Sequence, residues 1–164
     1  QKIRYKDSFD VRFDVDSDVN SCCVVKLILQ PLLENAINYG VSGMDDGEIT
    51  VMGRMENGDV ILTVRDNGIG IPEEEAVLLL ADNKRVHKHG SGVGLVNINK
   101  RIQLLFGKKY GLRIESEPDE GTSVSVCIPA IPFTEENRRL LEKGPVFDRE
   151  ETISKISREN SDEE

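Results

Sequence analysis

Apolar and polar residues alternate from Phe9 to Asp16, with Phe9, Val11, Phe13 and Val15 set against Asp10, Arg12, Asp14 and Asp16. A period of two predicts a half-buried strand. The spacing then turns helical: Val25, Ile28, Leu29, Leu32, Leu33 and Ala36 recur at three- and four-residue steps. That predicts a helix over 21–39, with Asn20 or Ser21 as its cap. Pro31 lies inside the run and either kinks one helix or marks the first turn of a second. Residues 40–47 read as a loop. Ile49–Met52 and Val60–Val64 are β-rich runs joined across Asn57-Gly58, a dipeptide suited to a tight hairpin turn. The second of these strands runs straight into Asp66.

Further on, residues 72–81 predict a short helix, with Pro72 near its first turn and Glu73, Glu74 and Glu75 complementing the dipole. Residues 82–90 are polar, basic and glycine-bounded, and read as a mobile loop. Leu95, Ile98, Ile102 and Leu105 form one stripe of a helix over 93–106, ended by Gly107. Leu112–Ser116 and Ser123–Ile128 alternate as two more strands around a turn at 118–121. A short helix is predicted over 134–141. Beyond Gly144 the charged, apolar-poor tail reads as a flexible extension, or as a segment that folds on a partner. No internal repeat is visible.

The composition narrows the function. A chain of 164 residues suits one ordinary domain with a sizeable core. Its formal net charge of −9 argues against a nucleic-acid partner, because phosphate contacts need an excess of Lys and Arg. Aromatics at 5% and the absence of Trp argue against a base-stacking RNA surface. Neither excludes ATP, whose charge is met by Mg²⁺ and backbone N–H groups. Cys22, Cys23 and Cys127 have no metal-like spacing and read as small buried hydrophobes in a reducing compartment. No apolar run approaches the ~20 residues that span a bilayer. The chain opens on Gln1 with neither Met nor a signal peptide, which reads as a piece of a longer protein.

Candidate chemistry gathers in three glycine-punctuated segments. Asn35, Asn38 and Tyr39 share a face of the first helix. Asn35 offers a neutral carbonyl oxygen suited to Mg²⁺ that keeps most of its waters, and Tyr39 a flat edge for an adenine ring. The plainer alternative is an asparagine bridging core polar groups. Asp66 follows a buried strand, and Gly68 and Gly70 let the backbone turn close to a ligand. A carboxylate there can accept from the exocyclic amine of adenine; the bland alternative is an ordinary Asp-Asn-Gly turn. Gly90, Gly92 and Gly94 precede a helix, so successive N–H groups can hold an anion, or the loop can be a simple hinge. Lys84, Arg85, His87, Lys88 and His89 lie just before them and either clamp a triphosphate or form a solvated surface.

In this order and spacing the segments resemble the N, G1 and G2 boxes of sensor histidine kinase catalytic domains. The segments are Pro31–Gly40, Asp66–Pro72 and Gly90–Leu95. Those domains belong to the GHKL ATPase superfamily that includes gyrase, Hsp90 and MutL. The runs Leu29-Gln30-Pro31-Leu32-Leu33-Glu34-Asn35-Ala36 and Gly94-Leu95-Val96-Asn97-Ile98-Asn99-Lys100-Arg101 are most similar to the LytS/YehU type. The resemblance implies an α+β fold: a two-layer α/β sandwich with a mixed, mainly antiparallel sheet. It implies residues 1–6 as the end of a linker, 7–130 as the ATP-binding domain and 131–164 as a C-terminal extension.

For the site, the resemblance implies that Asn35 holds Mg²⁺ and Asp66 binds the adenine amine. Gly68, Gly70 and Ile71 shape the base pocket. Gly90, Gly92, Val93, Gly94 and Leu95 lie at the phosphates, with Asn38, Tyr39, Lys84 and Arg85 around the nucleotide. Thr122 supports Asp66 through water. Asn35 and Glu34 are the catalytic candidates, although Glu34 projects about 100° away around the helix. Two positions depart from the family. Asn38 stands where many of these kinases carry Lys, and Pro31 where hydrolytic relatives place the Glu that activates water. The first removes a phosphate-neutralising charge that Lys84, Arg85 or Lys88 can supply, and the second favours phosphoryl transfer over hydrolysis. The implied partners are ATP, a dimerisation and phosphoacceptor domain of the same protein, and a response regulator. The implied setting is a cytoplasmic domain of a membrane-anchored protein. An anti-sigma-type serine kinase and a degenerate, non-catalytic scaffold are the alternatives.

Overall fold

A computed structural model describes residues 9–80 and 93–143. Five strands form one sheet in the order β1-β3-β4-β6-β5. They are β1 (Phe9–Val15), β3 (Gly47–Glu56), β4 (Asp59–Asp66), β5 (Gly111–Glu117) and β6 (Gly121–Pro129). β1 runs parallel to β3, and the other neighbours are antiparallel. Helices α1 (Leu29–Asn35) and α3 (Val93–Phe106) cover one face. Ile49, Val51, Val60, Leu62, Val64, Val124, Val126 and Ile128 of the sheet bury against Leu32, Ala36, Ile37, Leu95, Ile102 and Phe106 of the helical layer. Each of these side chains other than Ala36 contributes roughly 1.5–3 kcal/mol on leaving water. The two-layer mixed sandwich expected from the sequence is the fold observed.

Local signals set most boundaries. β3 and β4 turn at Asn57 (φ 51°) and Gly58 (φ 81°), the left-handed pair that a two-residue hairpin needs. α3 spans the predicted residues and ends at Gly107, whose φ of 97° suits glycine. α2 (Glu73–Leu79) starts just after Pro72, and α4 (Glu135–Lys143) lies one to two residues beyond the predicted span. The loop at 82–90 and the tail beyond Gly144 lie outside the described residues.

The helix predicted over 21–39 is the main correction. Ser17–Ser21 form a 3-10 turn, and Cys22–Cys23 form a short strand, β2, paired with Ile131–Pro132, β7. Leu27 is left-handed at φ 64°, which ends any continuous helix before α1 begins at Leu29. Neither Asn20 nor Ser21 caps it. Pro31 therefore lies in the first turn of α1, where its missing N–H has no intrahelical partner to lose.

Candidate functional site

β4 carries an apolar stripe, Val60, Leu62 and Val64, whose next position in phase is Asp66. The alternation thus drives a carboxylate onto the core face, where it is 3% exposed. Its Oδ1 accepts from the Gly68 N–H at 3.0 Å and from the Thr122 N–H at 3.3 Å. Burial raises the Asp66 pKa above the ordinary carboxylate value, and the two N–H donors partly offset that rise. Where a water-mediated link from Thr122 is expected, the contact seen is a direct main-chain bond.

The loop after Asp66 is fitted by close backbone approaches. A Cβ on Gly68 would stand 2.3 Å from the Gly40 carbonyl oxygen, and one on Gly40 would stand 2.5 Å from the Asp66 carboxyl. Only two bare glycines let these segments touch. On the other side the loop rests on the β5–β6 turn. The Asp119 N–H donates to Ile69 O at 2.8 Å, and a Cβ on Gly70 or Gly121 would strike the opposing backbone at 1.9–2.0 Å. Asn67 faces away from the site, binding the Glu48 N–H through Oδ1 (2.7 Å) and Asp46 O through Nδ2 (3.0 Å).

α1 ends at Asn35 and widens into a π turn over Ala36–Gly40, closed by Val41 N–H to Ala36 O at 3.0 Å. Such widened turns recur at functional sites. Asn35 is half-buried, while Asn38 and Tyr39 are exposed on the π turn. Glu34 accepts from Gln30 Nε2 at 2.8 Å, one turn back along the helix. At the other end of α1, a Cβ on Gly94 would lie 3.1 Å from the Pro31 ring, so the start of α3 abuts α1. Asn35 follows Pro31 by one turn, between that contact and the Gly40–Asp66 contact. Leu95 is a core residue at 1% exposure. Lys84, Arg85, Gly90 and Gly92 lie outside the described residues.

Sequence reasoning missed Ser116. It is buried, accepts from the Ile71 N–H (2.9 Å), donates to Gly121 O (3.0 Å) and meets the Thr122 hydroxyl at 2.9 Å. The missed signal is phase: Leu112 and Ile114 predict a core-facing position at residue 116, and a serine there needs partners. The pairing register sets Ile49, Asp66, Thr122 and Ser116 in one row across β3, β4, β6 and β5. A cleft of about 1080 Å³ opens beside β5, lined by Ala76, Leu80, Ile114, Ser116, Gly121 and Thr122 among others. It meets the site through the last three, and neither Asp66 nor Asn35 is in its wall.

Residues 24–132 match the family model described as histidine kinase-, DNA gyrase B- and HSP90-like ATPase. The chain belongs to that ATPase family. Among curated relatives of this ATPase domain, the sensor histidine kinase YesM of Bacillus subtilis is 37% identical over 79% of the chain and 21% of its own length. The sensor protein LytS of Staphylococcus haemolyticus is 32% identical over 83% of the chain and 23% of its own length. The chain therefore spans about a fifth of either relative. The catalytic domain of the histidine kinase ThkA superposes with a TM-score of 0.59 at 24% identity, over 79% of this chain and 83% of that one. The mycobacterial sensor histidine kinase MprB gives 0.57 at 22%, over 80% and 88%. At those identities the solved structures establish the fold alone. Among the described residues of the ATPase domain, no helix is long and apolar enough to cross a membrane.

Proposed function

We propose that this ATPase domain binds Mg-ATP and donates its γ-phosphoryl group to a histidine on a dimerisation domain of the same protein, for onward transfer to a response regulator. The observation that carries the nucleotide reading is Asp66: a carboxylate 3% exposed, held through one oxygen by two backbone N–H groups. Burying that charge costs stability, and perturbed buried carboxylates cluster at functional sites. Asp66 takes the exocyclic amine of adenine. Gly68 and Gly70 bring main chain against the base, and Ile71 supplies an apolar wall beside it. Asn38 and Tyr39 flank the nucleotide from the π turn.

Asn35 fits a Mg²⁺ ion. Its amide makes no hydrogen bond to a described residue, whereas the amides of Asn67 and Asn99 both clip backbone. Among the described residues there is no cluster of three His, Cys, Asp or Glu, so the ion would draw its other ligands from phosphate and water. When bound, it supplies charge neutralisation at the β- and γ-phosphates. Gly90, Gly92 and Gly94 would offer main-chain N–H groups to the phosphates, and Lys84 and Arg85 would meet the remaining charge. Glu34 is turned to Gln30, and Pro31 offers no base, so the domain positions the phosphoryl group and does not activate water.

Calorimetry with Mg-ATP tests this reading. Binding is expected in the micromolar range or weaker, because association costs translational freedom and side-chain ordering. Asp66→Asn is expected to weaken it by about tenfold or more, by replacing an acceptor with a donor at the amine. Unchanged affinity in that variant would remove the pocket proposed here.

A further inference from the structure

The Ser116 hydroxyl has three polar neighbours and one proton. All three contacts are satisfied together only when the Ser116 proton goes to Gly121 O and its lone pairs take the Ile71 N–H and the Thr122 hydroxyl. The remaining contact, 2.9 Å to Thr122 Oγ1, then has Thr122 as donor. Ser116 is thereby saturated, with one bond given and two received. Thr122 has spent its only proton inside the sheet and keeps only lone pairs for any other partner. Thr122 is half-buried, lines the cleft beside β5 and lies directly across from Asp66.

We propose that Ser116 is a specificity-determining residue that acts through Thr122. It holds the Thr122 hydroxyl as a pure acceptor, so this end of the row presents only acceptors to a base edge. This inference rests on the nucleotide reading and deepens it. A carboxylate and a proton-spent hydroxyl together select a purine that donates at its six position, directly or through one bridging water, and reject one that carries a carbonyl there. Ser116 touches no ligand itself; it is a positioning residue, and its effect is on discrimination.

The test compares ATP with inosine triphosphate, which replaces the six-amino group by a carbonyl, by calorimetry on the whole chain. The unaltered protein is expected to prefer ATP. In Ser116→Ala the Thr122 proton is released and can turn to the six-carbonyl. The preference is then expected to shrink by about tenfold, through weaker ATP and stronger inosine triphosphate binding. Ser116→Thr, which keeps the hydroxyl, is expected to retain the preference. Thr122→Val is expected to weaken ATP, and to do so less in a Ser116→Ala background. Equal loss for both nucleotides in Ser116→Ala would reduce Ser116 to a structural residue and overturn the inference while leaving ATP binding intact. Should Ser116→Ala melt below the assay temperature, Thr122→Val decides, and an unchanged preference there overturns it. Failure of the unaltered protein to bind ATP would instead sink the nucleotide reading itself.

Discussion

At the scale of single residues, Asp66 is where folding and the proposed function oppose each other. Its folded pKa lies above the unfolded value. Its contribution to stability is thus fully present below the unfolded pKa and lost as pH rises through the folded one. At neutral pH the buried charge counts against the fold. Two opposite trends are expected on acidification toward the raised pKa: thermal melts should show this site favouring the folded state, while calorimetry should show ATP affinity falling as the carboxylate takes up a proton. Asp66→Asn should keep or raise the melting temperature at neutral pH while losing ATP, a trade found where a site is kept at some expense of stability. A melt that drops by many degrees would mean that Asp66 holds the fold together and that its link to a ligand is incidental. The position was legible in advance, since Val60, Leu62, Val64 and Asp66 share one phase. Ser116 obeyed the same rule in β5 and passed unnoticed, because a serine at a core phase is quieter than a charge.

Between elements, bare backbone does the joining. The π turn, the Asp66 loop and the β5–β6 turn interlock through glycines whose absent side chains are their contribution. Gly68→Ala would put a carbon 2.3 Å from the Gly40 carbonyl oxygen, and rigid main chain cannot yield cheaply. The expected cost is about 1–3 kcal/mol in urea denaturation, with ATP affinity falling as well. The glycines were visible in the sequence, but which backbone each would meet was not. The contrast between two predicted segments shows why. Asn57-Gly58 dictates its own turn from local sterics, and the hairpin followed. The helix over 21–39 failed because Cys22–Cys23 answer to Ile131–Pro132, and no periodicity within the run carries the pull of a strand 109 residues downstream.

For the whole molecule, the proposed chemistry is transfer without hydrolysis. With Pro31 one turn before Asn35 and Glu34 bonded to Gln30, the purified chain with Mg-ATP should release almost no inorganic phosphate. Glu34→Gln should leave that near-zero rate unchanged in a phosphate-release assay. Brisk turnover, abolished in the variant, would make Glu34 a water-activating base. The formal charge of −9 is compatible with this function, because the triphosphate is to be met by a few local groups and not by the overall field.

The small β2–β7 ribbon fastens the approach to α1 onto the chain leaving the sheet. A shortened version ending at Pro129 would look harmless, since every strand of the main sheet would survive. It would nonetheless strip Cys22–Cys23 of their partner and unmoor the run that delivers Asn35. A version ending at Pro129 is therefore expected to melt below one that keeps Ile131–Pro132, as thermal denaturation of the two would show.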